Sequence, residues 1–181
     1  QAQDVLGIRS HDNYHCVGTA DGSEYSAHAL LLATGSRYRR LDVPGENDFI
    51  GAGVHFCATC DGPFYKGLPV AVVGGGNSAA EESLFLANMA QHVTLLVRGD
   101  QLKASQVIQE QVLHRPEIDV RFNTDVMRFD GSGGKLKAVT IKDKRTGGVE
   151  TIHPAGVFVF IGLTPNTGFL KPGQLRLDPW G

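Results

Sequence analysis

Cys57 and Cys60 stand two residues apart in the stretch HFCATCDGPFYKG (55–67), with the acid Asp61 directly behind them. Thiols at that spacing can share a metal ion, form a fixed bridge, or open and close as a redox disulfide. Only Cys16 adds a third sulfur. A second constellation follows at once. VAVVGGGNSAAEE (70–82) fits G-x-G-x-x-A through Gly74, Gly76 and Ala79, with Gly75, Asn77, Ser78 and Glu81 in and beside the loop. In this pattern Gly74 permits a tight turn, Gly76 lets backbone approach a pyrophosphate, and Ala79 allows close helix–strand packing. The N–H groups at the helix start then face the anion, so a dinucleotide is the expected ligand.

The elements around the loop supply the context that the motif needs. The spacing predicts a buried strand over 68–73, a helix over about 78–89, a second strand over 92–98, and a second helix over 105–115 ended by Pro116. The second strand ends near the residues that judge the ribose. An acid there bonds a 2′-hydroxyl, whereas basic residues favour a 2′-phosphate. Here the chain has Val97, Arg98 and then Lys103, so NADP is expected and NAD is possible.

Downstream, strands are expected at 118–122, 126–130, 135–143, 149–154 and 156–162, with Gly-rich turns at DGSGGK and RTGGVE. Upstream, 4–10, 14–20 and 24–34 read as a small antiparallel unit. A turn-rich linker follows over 35–48, and a new unit starts near Phe49. The expected class is α/β: a Rossmann-like, three-layer NAD(P)-binding domain of parallel sheet plus antiparallel β-meander.

Bulk composition narrows the partners. Net charge is −2, with 20% charged and 41% hydrophobic residues, so there is no basic footprint for nucleic acid. The longest apolar runs, ALLLA and VFVFI, are strand-length and too short for a bilayer. With no secretory leader pattern, the reducing cytoplasm is the expected setting.

In chain order, CATCDGPFYKG, VAVVGGGNSAAEE and GVFVFIGLTPNT resemble the low-molecular-weight thioredoxin reductases, over nearly all 181 residues. ALLLATGSRYRRLDVPGE is similar to the segment by which these flavoproteins leave their FAD domain. The resemblance implies an NAD(P)H-dependent disulfide reductase with FAD in the intact protein. Its partner would be a thioredoxin-like or other small redox protein, and the intact enzyme a homodimer. It implies three stretches: 1–46 and 166–181 as pieces of the FAD domain, and 47–165 as the NAD(P)H and disulfide domain. It implies Cys57 as the exchanging nucleophile, Cys60 as the flavin-facing sulfur and Asp61 as the acid that protonates a leaving thiolate. Thr34 and Gly35 would contact the flavin, and Ile161 and Gly162 a cofactor. The family's own flavin glycine fingerprint and its Gly-Asp segment lie outside these residues. The chain is therefore expected to be a piece of a longer protein that does not hold FAD or turn over alone. The family's NADPH signature, His-Arg-Arg and a later Arg, reads Val97-Arg98-Gly99 and Lys103 here.

Against this background the cysteine alternatives separate. A structural zinc site wants four ligands, and no second C-x-x-C exists, so no metal is expected. The seven histidines, His55 among them, read as surface or strand residues. A redox disulfide at a helix start fits best, where the dipole favours a thiolate. The crossings 44–47 and 162–166 are expected hinges for the domain rotation that the family uses.

Overall fold

The computed structural model describes residues 3–178. Residues 1–2 and 179–181, the outermost parts of the expected FAD-domain pieces, lie outside the described residues. The chain divides into two compact units. One comprises residues up to Arg37 together with those from Leu163 on, and the other is Tyr38–Gly162.

In the first unit, β1 (Val5–Ser10), β2 (His15–Thr19) and β3 (Glu24–Ala27) form an antiparallel meander in that order. Ile8, Cys16 and Thr19 are its buried residues, and the free Cys16 thiol lies 3.1 Å from the Ser26 hydroxyl. The expected third strand over 24–34 ends at Ala27, and Leu31 beyond it is 88% exposed. Apolar content alone makes that run look like a strand; no neighbouring backbone among the described residues pairs with it. Conversely, the expected linker contains a strand, β4 (Ser36–Tyr38).

The second unit carries β5 (Val54–His55), helix α1 (Ala58–Asp61), β6 (Pro69–Val73), helix α2 (Asn77–Leu86), β7 (His92–Leu96), helix α3 (Gln106–Leu113) and β8 (Ile118–Arg121). Next come β9 (Thr124–Ser132), β10 (Lys135–Asp143), β11 (Val149–Ile152) and β12 (Gly156–Val159). The last strand, β13 (Leu163–Pro165), belongs to the first unit and pairs with β4. The parallel sheet runs β5-β12-β6-β7-β8, and β11-β10-β9 forms a separate antiparallel sheet.

Strand alternation explains the three layers. Val70, Val72, Val93, Leu95 and Phe158 face a core shared with α2 and α3. Their sequence neighbours Ala71, Val73, Leu96, Val157 and Val159 face a second core beneath Phe129, Leu136, Val139 and Ile141 of the meander. With both faces covered, β6 and β12 are apolar at every position, the pattern of a buried parallel sheet. Each fully buried valine or leucine contributes about 1.5–3 kcal/mol.

One helix boundary differs from expectation. α2 ends at Leu86 and not at 89, because Gly67 N–H draws on the Met89 carbonyl and Gln91 N–H on that of Leu68. Those bonds bend 87–91 toward the loop before β6. The compact units divide at 37–38 and 162–163. Residues 38–46 are bonded into the second unit. Leu41 and Val43 pack on its meander core, and buried Glu46 accepts N–H bonds from Leu41 and Asp42 at 2.9 and 2.8 Å. The Pro44 carbonyl accepts from Phe129 N–H at 2.9 Å.

Candidate active site at the carboxyl edge of the parallel sheet

Cys57 follows β5 directly and caps α1. Its Sγ accepts the Cys60 N–H at 3.2 Å, lies 3.4 Å from the Thr59 hydroxyl, and is joined to Cys60 in a disulfide. Two intervening residues in one helical turn bring the Cα atoms to 5.3 Å, within reach of a bridge. Cys57 is half-buried and Cys60 exposed. On reduction, the N–H aimed at Cys57 Sγ would stabilise a thiolate there.

Asp61 closes the turn. Its carboxylate Oδ2 lies 3.3 Å from Nδ1 of His55, and Nε2 of that ring lies 2.7 Å from the Tyr65 hydroxyl. Phe158 packs on both rings. His55 is only 7% exposed, and its burial lowers its pKa below the usual imidazole range, against the opposing pull of Asp61. Burial, then the Asp61 charge, raises that of Tyr65. Neither His55 nor Tyr65 stands out in the sequence as a working residue, because a histidine two residues before Cys57 carries no periodic signal.

The glycine loop leaves the same sheet edge. Gly74 has φ +148°, and a Cβ there would meet the Phe160 carbonyl oxygen at 2.3 Å and Ala79 Cβ at 2.7 Å. A Cβ on Gly75 would press on Val97 at 2.9 Å, whereas one on Gly76 would meet nothing within 4 Å. No described protein atom requires Gly76 to be bare, so its openness suits a ligand that approaches the backbone. α2 begins at Asn77 with no side-chain cap, leaving its first N–H groups for an anion. These residues fit a dinucleotide pyrophosphate.

The loop after β7 is clipped to this turn. Lys103 N–H donates to the Gly75 carbonyl at 2.6 Å, and Ser105 N–H to Asn77 Oδ1 at 2.8 Å. Exposed Lys103 is thereby carried to the glycine loop; exposed Arg98 follows β7, with Lys144 Nζ 3.3 Å from its carbonyl. Lys144 sits in the turn after β10, out of reach of local sequence reasoning. Val97 is buried in the helix-side core, and Ser78 and Glu81 lie exposed on α2.

Register relates the two loops. Phe158 pairs with His55 on one side and Val72 on the other, so Cys57 and Gly74 leave the edge at one level. They are two strand spacings apart, roughly 10 Å. Ile161 and Gly162 follow β12 between them, and Arg39 N–H donates to the Gly162 carbonyl at 3.0 Å. Thr34 and Gly35 belong to the other unit, where their carbonyls accept from Asn166 at 3.0 and 2.9 Å. No group of three or more metal-ligating side chains occurs among the described residues.

Residues 2–181 match the sequence profile described as pyridine nucleotide-disulphide oxidoreductase. The chain belongs to this family. It is 40% identical over 172 residues to a thioredoxin reductase of Treponema pallidum (strain Nichols), covering 95% of this chain and 55% of that protein. It is also 40% identical over 157 residues to an alkyl hydroperoxide reductase component of Escherichia coli (strain K12), covering 87% of this chain and 30% of that one. A solved thioredoxin reductase from Giardia duodenalis superposes with a TM-score of 0.88 at 32% identity, covering all of this chain and 59% of that one. The chain thus spans about half the length of the thioredoxin reductases it matches. No described helix is long and apolar enough to cross a membrane.

Proposed function

We propose that, in the intact protein, this chain carries electrons from a nicotinamide nucleotide to the Cys57–Cys60 disulfide and on to a disulfide of a small thioredoxin-like protein. The carrying observation is the placement of that disulfide and the nucleotide glycine loop at one level of one sheet edge. Residues 38–162 are then the NAD(P)H and disulfide domain, and the flanking unit contributes pieces of an FAD domain that include Thr34 and Gly35. FAD, when bound, supplies the two-electron relay between nicotinamide and disulfide. The strand–glycine-loop–helix arrangement at Gly74 suits the nicotinamide nucleotide, so the pyrophosphate of the flavin needs donors from elsewhere. The crossings at 37–38 and 162–163 are the hinges. A cytoplasmic homodimer rests on the family resemblance.

The residues divide the work. Gly74, Gly75, Gly76, Asn77 and the start of α2 hold the pyrophosphate. Arg98 and Lys103, with Lys144 beside them, favour the 2′-phosphate of NADPH over NADH. Once two electrons and two protons have opened the disulfide, the Cys57 thiol passes its proton to Asp61 and the resulting thiolate attacks a sulfur of the partner. The partner bond breaks, its leaving thiolate takes a proton from Asp61, and a mixed disulfide forms. Cys60 thiolate then attacks Cys57 Sγ, restoring the disulfide and releasing the second partner thiolate, which is protonated from solvent.

The alkyl hydroperoxide reductase relatives favour a second acceptor, the disulfide of a peroxiredoxin-linked protein. Turnover of the intact flavin-loaded protein with each acceptor separates the two. In either case Cys57→Ser and Cys60→Ser should each abolish NADPH-dependent disulfide reduction while flavin bleaching by NADPH continues. Wild-type turnover in both serine variants would remove the pair from the reaction.

A further inference from the structure

Behind the disulfide, buried His55 and half-buried Tyr65 have no part in the scheme above. We propose that His55 is a positioning residue that holds one oxygen of Asp61 inside the protein so that the other is presented to the leaving sulfur. The proposal rests on the reading of Asp61 as the proton donor in disulfide exchange.

The tautomer follows from the neighbours. Burial keeps His55 neutral, so the ring has one N–H and one lone pair. Tyr65 is likewise held as a neutral phenol and can donate; until the exchange proton reaches Asp61, its carboxylate accepts. The Tyr65 hydroxyl therefore donates to Nε2 over 2.7 Å, which puts the imidazole proton on Nδ1, facing Asp61 Oδ2 at 3.3 Å. Asp61 Oδ1 has no hydrogen-bond partner among the described residues, and the side chain is 32% exposed. One oxygen is thus turned inward and the other outward, on the residue adjacent to Cys60.

The ring itself has little freedom. His55 lies on β5 in register with Phe158, whose ring it meets at 5.4 Å, and Tyr65 meets both rings edge-on. The Asp61 N–H donates to the Cys57 carbonyl at 3.1 Å, fixing the backbone that bears the carboxyl. A small loss of aim at a proton donor is costly to the step it assists.

The test is a double-mutant cycle on this chain, reduced with dithiothreitol, desalted and mixed with oxidised glutathione, with re-formation of the disulfide followed by thiol alkylation. Asp61→Asn should slow exchange by about 10²-fold, the lower end for a positioned acid. His55→Phe should slow it about tenfold in the wild-type background and by less than about twofold in the Asp61→Asn background, because it acts through that carboxyl. His55→Asn, whose amide places an N–H near the Nδ1 position, should stay within about threefold of wild type. Both His55→Phe and Asp61→Asn should lose the same part of the pH–rate profile, whereas a loosened fold would scale the whole of it. Equal slowing by His55→Phe in both backgrounds would overturn the proposal and leave His55 a structural residue. No effect of Asp61→Asn, with the wild-type disulfide still re-forming, would refute the acid and the proposal together. Failure of the wild-type pair to re-form its disulfide from oxidised glutathione would refute the redox reading itself.

Discussion

Around Gly74 the backbone is held by close packing: Phe160 and Ala79 occupy the space a side chain would need. Around Cys57, two strands away on the same edge, it is held by bonds, with an N–H on sulfur, a carboxylate beside a buried imidazole, and a phenol behind it. A site that must admit a rigid pyrophosphate benefits from a fixed empty contour. A site that must make and break a covalent bond, and move a proton with it, needs polar groups that stay satisfied in both redox states. The first kind of site is sensitive to volume, and the second to pH.

Volume changes should give the largest effects. Gly74→Ala forces a Cβ against the Phe160 carbonyl at a φ of +148°, so it should lower stability by about 3 kcal/mol. Gly76→Ala, in open space, should stay within about 0.5 kcal/mol of wild type. It should nevertheless weaken coenzyme binding by about tenfold or more. Urea unfolding and coenzyme titration measure both. Comparable stability losses at the two glycines would mean that Gly76 is a packing residue too.

A change of pH should act at the other loop. His55 has a folded pKa below its unfolded value of about 6.5, so the unfolded chain binds the proton first. Stability should be full above that value, fall as pH drops through it, and level off below the folded pKa. The groups facing the ring are Asp61 and Tyr65. Urea midpoints between about pH 7.5 and pH 5 should decline for wild type and flatten in His55→Phe. A slope unchanged by that substitution would place the acid sensitivity elsewhere.

The smallest expected effect sharpens the coenzyme side. Arg98 is exposed, so the proposed contact with a 2′-phosphate would be worth about 1 kcal/mol, and Arg98→Ala should weaken NADPH binding by about fivefold while sparing NADH. Equal affinities for both coenzymes in wild type would remove Arg98 from that role.

Much of this was legible before any coordinates. Glycines at 74 and 76, a small residue at 79 and an apolar run before them obey a local rule, since the turn and the helix start are made by residues adjacent in sequence. The C-x-x-C spacing likewise contains its own geometry, one helical turn, and the structure forms the bridge. The meander strand 135–143 was readable to the residue, because alternation and Gly-rich turns are local too. Where pairing partners matter, local signals misled. The apolar run at 30–32 reads as strand but is unpaired among the described residues, while the polar stretch at 36–38 pairs with 163–165. Tertiary structure alone placed Cys57 and Gly74 at one level, since register passes through Phe158, about a hundred residues from His55. It alone brought Lys144 to Arg98, and it alone buried His55 between Asp61 and Tyr65. A residue's type shows which proton or charge it can carry, but burial and facing groups decide its protonation and its aim, and those depend on the whole fold.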